Sequence, residues 1–286
     1  VMAPMGHSID QNIVAAVTTM LCVGSPAVIA TETHSYLQAK NFLYAGGFWQ
    51  DGELTVESRR GDAGLAVIEL DNLGVNREYA SWMIDYHRRV SNRWKISASI
   101  YRYSDGRLGQ LLKEDIAWEG QDFSAGIDVG VDWKIDTLII DAMYTVKRAD
   151  NFELALGGGV HALDTELVIR GQGVINGGDN VSQGSGETAR GSLVVPLPNL
   201  RATGFYALNK KWSAQATLGW LSLSIDEYDG SFKYAHLRGQ YQISNTLGLS
   251  LGYQLVEIDV EEQIRLGSRR FDMSFQGVTA AITFAF

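Results

Sequence analysis

Cysteine is almost absent. The chain of 286 residues has one, Cys22, inside an apolar N-terminal stretch. Internal disulfides are therefore excluded, and so is thiolate chemistry anywhere beyond residue 22. Proline is scarce, with four residues against 31 glycines. No long apolar run follows residue 30, although 45% of the residues are hydrophobic and the mean hydropathy is -0.06. That excludes helical membrane spans. It leaves room for a membrane barrel, whose alternating strands average to a neutral hydropathy. A basic surplus is missing as well: the formal net charge is -9, which argues against a nucleic-acid partner. No Cys or paired His has metal-ligand spacing, no nucleophile elbow occurs, and the glycines of GQGVINGGDN precede no helix. No metal, cofactor or catalytic residue is expected.

The N-terminus reads as an export signal. Residues 13–30, IVAAVTTMLCVGSPAVIA, form an apolar core broken by Pro26, and Val28 and Ala30 suit the small-residue cleavage rule. The expected organisation is a signal over 1–30 and one barrel domain over 31–286. No Lys or Arg precedes the apolar core, which departs from the usual signal; a retained anchor helix is the alternative. Leu21 is too large for lipoprotein cleavage at Cys22.

After Asn41 nearly everything alternates with period two, as in Trp-Ser-Ala-Gln-Ala-Thr-Leu-Gly-Trp from Trp212 to Trp220. Such segments are half-buried strands. The pattern predicts strands over 41–59, 77–89, 93–118, 126–148, 151–171, 190–209, 212–228, 231–243, 247–263 and 270–286. Tight turns are expected at Arg89–Asn92, Ala149–Asp150, Asn209–Lys211 and Ser244–Thr246. The other connections are mostly longer, at 60–76, 119–125 and 171–191, with Asp229-Gly230 a short hairpin on that side. Short turns on one rim and longer loops on the other predict an all-β, antiparallel up-and-down transmembrane β-barrel with periplasmic turns. Ten strands suit the pattern. Twelve would follow if Asp51-Gly52 made a hairpin and LAVIEL (65–70) a strand.

The stretch LGLSLGYQLVEIDVEEQ, Leu247 to Gln263, changes its rule halfway. Apolar residues are odd-numbered up to Leu255 and even-numbered from Val256, where Glu257, Asp259 and Glu261 take the odd positions. Either a β-bulge shifts the phase, or the strand keeps its phase and leaves the membrane. Similar switches near Thr137, Ala162, Trp220 and Gly277, each about nine residues from a periplasmic turn, favour one membrane boundary. The sequence thus predicts two storeys: lipid-facing outside and polar inside below, acidic outside and apolar inside above.

The last residues, VTAAITFAF, place Val278, Ala280, Ile282, Phe284 and Phe286 on one face and stop on Phe286. This ending resembles the C-terminal insertion signal of bacterial outer-membrane β-barrels. The resemblance implies an outer-membrane location, Phe284 and Phe286 as the assembly signal, and the barrel-assembly machinery as partner. DIAWEGQDFSAG, PLPNLRATGFYALNKKW, YDGSF and LGLSLGY resemble more narrowly a proteobacterial set of such barrels, which implies fold and location but no chemistry.

Inward polar positions of the lower storey include Asp85, Lys95, Asp141, His161, Arg201, His236 and Arg238, together with His87, Glu153 and Gln240. Buried charges of both signs in a small lumen read as a salt-bridged plug rather than a channel or catalytic cluster. Upper inward positions are Trp133, Leu221, Leu223, Ile225, Val256, Ile258, Phe271, Met273 and Phe275. These make a packed core or a pocket for an acyl chain or another apolar ligand. Trp82, Trp94, Trp118, Trp212, Tyr86 and Tyr206 are candidates for aromatic girdles. Outward carboxylates, among them Asp132, Asp136, Glu257, Asp259, Glu261 and Asp272, are a solvated acidic face or bridge to lipopolysaccharide phosphates through divalent cations. The expected role is non-enzymatic: envelope structure or surface binding by a monomer among outer-membrane lipid and lipopolysaccharide. The alternatives are a lipid-binding or lipid-modifying barrel and a narrow pore.

Overall fold

Strict alternation of apolar and polar residues buries one face of a strand and exposes the other, and a long run of such strands hides every hydrogen-bonding edge only by closing on itself. The computed structural model of this chain shows that closure. It describes residues 33–60, 65–69, 78–112, 116–118, 121–124, 126–172, 174–177, 180–183, 187–225, 228–264 and 267–286. The expected signal over 1–30 lies outside the described residues.

Among the described residues a one-turn helix, α1 (Ser35–Gln38), precedes fifteen strands. These are β1 (Asn41–Arg60), β2 (Leu65–Glu69), β3 (Glu78–Arg89), β4 (Trp94–Leu111), β5 (Ile116–Trp118), β6 (Gln121–Phe123), β7 (Asp128–Arg148), β8 (Phe152–Gln172), β9 (Val174–Gly177), β10 (Asn180–Gln183), β11 (Glu187–Ala207), β12 (Trp212–Ile225), β13 (Tyr228–Gln242), β14 (Leu247–Ile264) and β15 (Gly267–Ala285). The wall runs β1-β3-β4-β7-β8-β11-β12-β13-β14-β15, and β15 pairs back with β1, closing ten antiparallel strands. β2 adds to the upper end of β1 without joining the ring, while β5–β6 and β9–β10 form separate two-stranded hairpins.

Several expected boundaries shift. β1 runs unbroken through Asp51-Gly52, so the twelve-strand count fails even though residues 65–69 are a strand. β4 ends at Leu111, and Ile116–Trp118 belongs to a hairpin with β6. Asp229 and Gly230 lie inside β13, because β12 and β13 pair as far as Ile225↔Tyr228. The expected loop over 171–191 contains strand ends and the β9–β10 hairpin.

Three of the short turns share one device. Ser91 Oγ accepts from the backbone of Arg93 and Trp94, Asn209 Oδ1 from Lys211 and Trp212, and Ser244 Oγ from Thr246 and Leu247. A polar side chain that bonds two or three residues ahead mimics a backbone turn and sets the hairpin register.

Outward residues trace the membrane. Ile84, Ile96, Ile140, Leu156, Leu237, Leu251 and Ile282 are exposed in one belt. Trp94 packs edge-on with Tyr144 at 5.3 Å, and Trp212 lies tilted on Tyr241 at 4.8 Å, on the side of the short turns. Exposed Trp49, Trp82 and Trp220 mark the opposite limit. Amphipathic rings favour these two interfaces. Trp49 and Trp220 extend the expected girdle; the Trp118 side chain lies outside what is described.

β14 settles its own puzzle. Its registers with β13 and β15 are continuous from one end to the other, so no bulge sits at Leu255. Val256, Ile258 and Val260 are buried inside, while Leu249, Leu251 and Tyr253 are exposed outside below the boundary. The face does not turn over; its surroundings change.

Above that boundary the ring divides. The β3–β4 ladder stops at Trp82↔Arg102 and the β11–β12 ladder at Leu200↔Trp220. The β1–β3 ladder ends at Asp51↔Glu78, where β3 begins, and the other ladders continue upward, leaving two sheets: β4-β7-β8-β11 and β12-β13-β14-β15-β1-β2. At β11–β12 the cause is local. Even-numbered residues of β11 face β12, as the Leu208 to Trp212 backbone bond shows, while odd-numbered ones face β8, as Ala207 to Asn151 shows. Pro196 and Pro198 therefore stand where two donors to β12 would be, and proline has none.

Two facing sheets need an apolar filling. Trp133, Val131, Leu163, Leu167 and Leu197 supply it from one side, and Phe232, Val256, Ile258, Phe271 and Met273 from the other. Trp133 stacks across the gap on Phe275, centroids 6.3 Å apart, and its indole donates to Thr165 at 3.1 Å.

Candidate functional site

Three features compete for function: the polar lumen below, the apolar interior above, and the junction between them.

The lumen is a set of braces between strands that are not neighbours in the wall. Asp85 on β3 accepts from Arg238 on β13 at 3.1 Å and from Ser99 at 2.9 Å, with His87 at 3.0 Å. Asp141 on β7 binds Arg201 on β11 and accepts from Ser97 at 3.2 Å. Glu153 on β8 binds Lys95 on β4 and holds Arg89 at 2.8 Å. Tyr44 on β1 donates to Gln215 on β12 at 3.0 Å and accepts from Gln240 at 2.8 Å. The Arg238 guanidinium lies 4.2 Å from the Tyr44 ring centroid, and Arg201 4.9 Å from that of Tyr234. His236 bonds Thr279 at 2.9 Å. In a low-dielectric interior each ion needs such partners.

Six of the seven expected lumen residues meet in these braces; His161 does not. It is buried, with Phe232 edge-on at 4.6 Å, and neither ring nitrogen has a hydrogen-bond partner among the described residues. Sequence reasoning missed Tyr44, Gln215 and Tyr234 as brace members. The inward parity of Tyr44 and Gln215 was legible, but their reach across the lumen depends on which strands stand opposite.

The lower end carries an unforeseen plug. His34 caps α1 by accepting from the Tyr36 backbone at 3.3 Å. Tyr36 stacks on Phe205 at 4.2 Å, Leu37 is fully buried, and the Leu37 carbonyl accepts from Arg148. Burial holds the His34 imidazole down at a pKa of about 4. Alternation gave no sign of this segment because it is a single helical turn.

The expected apolar residues Trp133, Val256, Ile258, Phe271, Met273 and Phe275 are buried together in the upper core. Leu221 is half-buried, and the side chains of Leu223 and Ile225 lie outside the described residues. Phe284 and Phe286 lie on the outward face, the latter exposed.

The upper exterior differs from the simple acidic face expected, because many carboxylates there carry basic partners. Asp136 holds Arg102 and Lys134 at 2.6 Å each, Glu257 holds Lys233 at 3.4 Å, and Asp259 binds Arg270. Asp272 lies opposite Asp259, and partial burial followed by that neighbouring charge pushes its pKa up.

The fold and its exposed apolar belt define an integral barrel of the bacterial outer membrane. The outer-membrane protease OmpT from Escherichia coli has a similar structure, with a TM-score of 0.53 at 8% identity over 92% of this chain and 99% of that one. The attachment invasion locus protein Ail of Yersinia pestis matches at 0.33 and 9% identity over 86% and 99%, and the P. putida toluene transporter TodX at 0.33 and 11% over 88% and 91%. The likeness to OmpT, at 8% identity, is one of fold. No family model and no curated protein matches the sequence.

Proposed function

We propose that this is a non-enzymatic, non-conducting barrel that serves as a structural or surface-binding element of the outer membrane. It works as a monomer, through the storey that stands above the membrane. Outer-membrane lipid and lipopolysaccharide surround it, and the barrel-assembly machinery inserts it through the Phe284 and Phe286 signal.

One observation carries the reading: the lumen is crossed by buried side-chain braces, Asp85–Arg238, Asp141–Arg201 and Tyr44–Gln215, between strands not adjacent in the wall. Opening an ion path would break paired buried charges, at a cost of several kcal/mol for each. The facing sheets above add a second, apolar seal. The protease activity named for OmpT finds no support inside. The close Asp–His pair of the lumen, Asp85 and His87 at 3.0 Å, is tied into the braces by Arg238 and Ser99.

Reconstitution in planar bilayers tests this. The expected trace is flat, without unitary steps in salt solution. Steady unitary conductance would overturn the sealed reading and restore the narrow pore.

A further inference from the structure

A cavity of about 50 Å3 lies at the junction of the two storeys. Its polar lining includes Gln50, Ser81, His161, Tyr234 and Gln254, and its hydrocarbon lining includes Ile135, Val256, Ile258 and Phe275. Four of these polar groups pair with one another: Gln50 donates to Ser81 at 3.1 Å, and Gln254 accepts from Tyr234 at 3.3 Å. His161 is different. It is 4% exposed, it lines the cavity, and among the described residues both of its ring nitrogens lack hydrogen-bond partners. Leaving buried polar atoms unpaired is costly, and a position that needed only bulk beside Phe232 would be better filled by Phe or Leu. The wall is also weak at this height. The β3–β4 ladder stops at Trp82↔Arg102, next to Ser81 and Tyr101, and both of these line the cavity. The two sheets above meet there through side chains.

We propose that this junction binds a small, mostly apolar molecule carrying one hydrogen-bonding group, of the kind and size of a phenol. The hydroxyl pairs with His161, whose neutral ring offers one donor and one acceptor. The ring lies among Ile135, Val256, Ile258 and Phe275. A benzene-sized ligand occupies a cavity of about 150 Å3, so the hydrocarbon lining must yield on binding. That is feasible where two sheets are joined by packing alone. This site goes beyond the sealed-barrel reading and does not depend on it, because a conducting barrel would hold it equally.

The test is a 19F NMR titration of the full chain in nanodiscs with 4-fluorophenol and with fluorobenzene, against empty nanodiscs. The wild type is expected to bind 4-fluorophenol saturably, about tenfold tighter than fluorobenzene, the ratio one good hydrogen bond supplies. His161→Phe should keep the heat-modifiable migration of a folded barrel and lose that preference, with fluorobenzene binding retained. Three results would overturn the proposal: no saturable binding to the wild type, as a cavity holding only water would give; equal affinity for the two probes; or a preference that survives His161→Phe. None of these bears on conductance, so failure here and failure of the sealed reading remain distinct.

Discussion

At the scale of single residues, His34 makes the fold sensitive to pH. Burial at the lower end of the barrel holds its pKa near 4, below the 6.5 of a free imidazole. An undocked segment takes up a proton more readily than the docked one between those values. Docking is therefore at full strength above about pH 6.5, weakens as the pH falls towards 4, and changes no further below that. A nitroxide at the exposed Gln38 should gain mobility over this window. His34→Asn keeps an acceptor for the Tyr36 backbone and removes the titration, so its label should show a flat response. A wild-type label that is equally immobile at pH 7 and pH 4 would remove His34 from this role.

At the scale of elements, β14 shows how much the sequence could say. Strand identity, inward parity and the height of the boundary all follow from alternation, since a period of two leaves only two faces to assign. The paired substitution Ile258→Asp and Glu257→Lys checks the assignment. Ile258 is 2% exposed in the apolar core, so an Asp there should lower stability by about 4 kcal/mol in urea unfolding. Glu257 stands in water beside Lys233, and the Lys variant should cost about 0.5 kcal/mol. The reverse order would place Glu257 inside. The division into two sheets was not read from the sequence, although its cause is two residues in PLPNL. Prolines two apart silence a single edge, and which strand that edge faces depends on register. The backbone amides of Ser222 and Ser224 face β11 above the last ladder pair, whereas those of Leu221 and Leu223 face β13. Amide exchange should be faster at the two serines. Equal protection would mean that β11 and β12 are paired to the top.

On the scale of the whole molecule, the chain is a closed barrel where lipid surrounds it and two facing sheets where water does. The residues that turn inward match each environment: Asp85, Asp141 and Glu153 with their cations below, Trp133, Ile258 and Phe275 above. Alternation placed these residues on the correct face and at the correct height. It could not say which braces form, because a brace joins strands far apart in sequence, such as Tyr44 and Gln215. Nor could it find the α1 plug, which has no period to detect. The central claim is that the outward face of one uninterrupted strand passes from lipid into water while its inward face passes from polar to apolar. Nitroxide labels along β14 in a bilayer, read against oxygen and an aqueous nickel complex, test it most directly. Oxygen access is expected at 249, 251 and 253, nickel access at 257, 259 and 261, and little of either at 256, 258 and 260. Nickel access at 256, 258 and 260, or oxygen access continuing through 261, would contradict it.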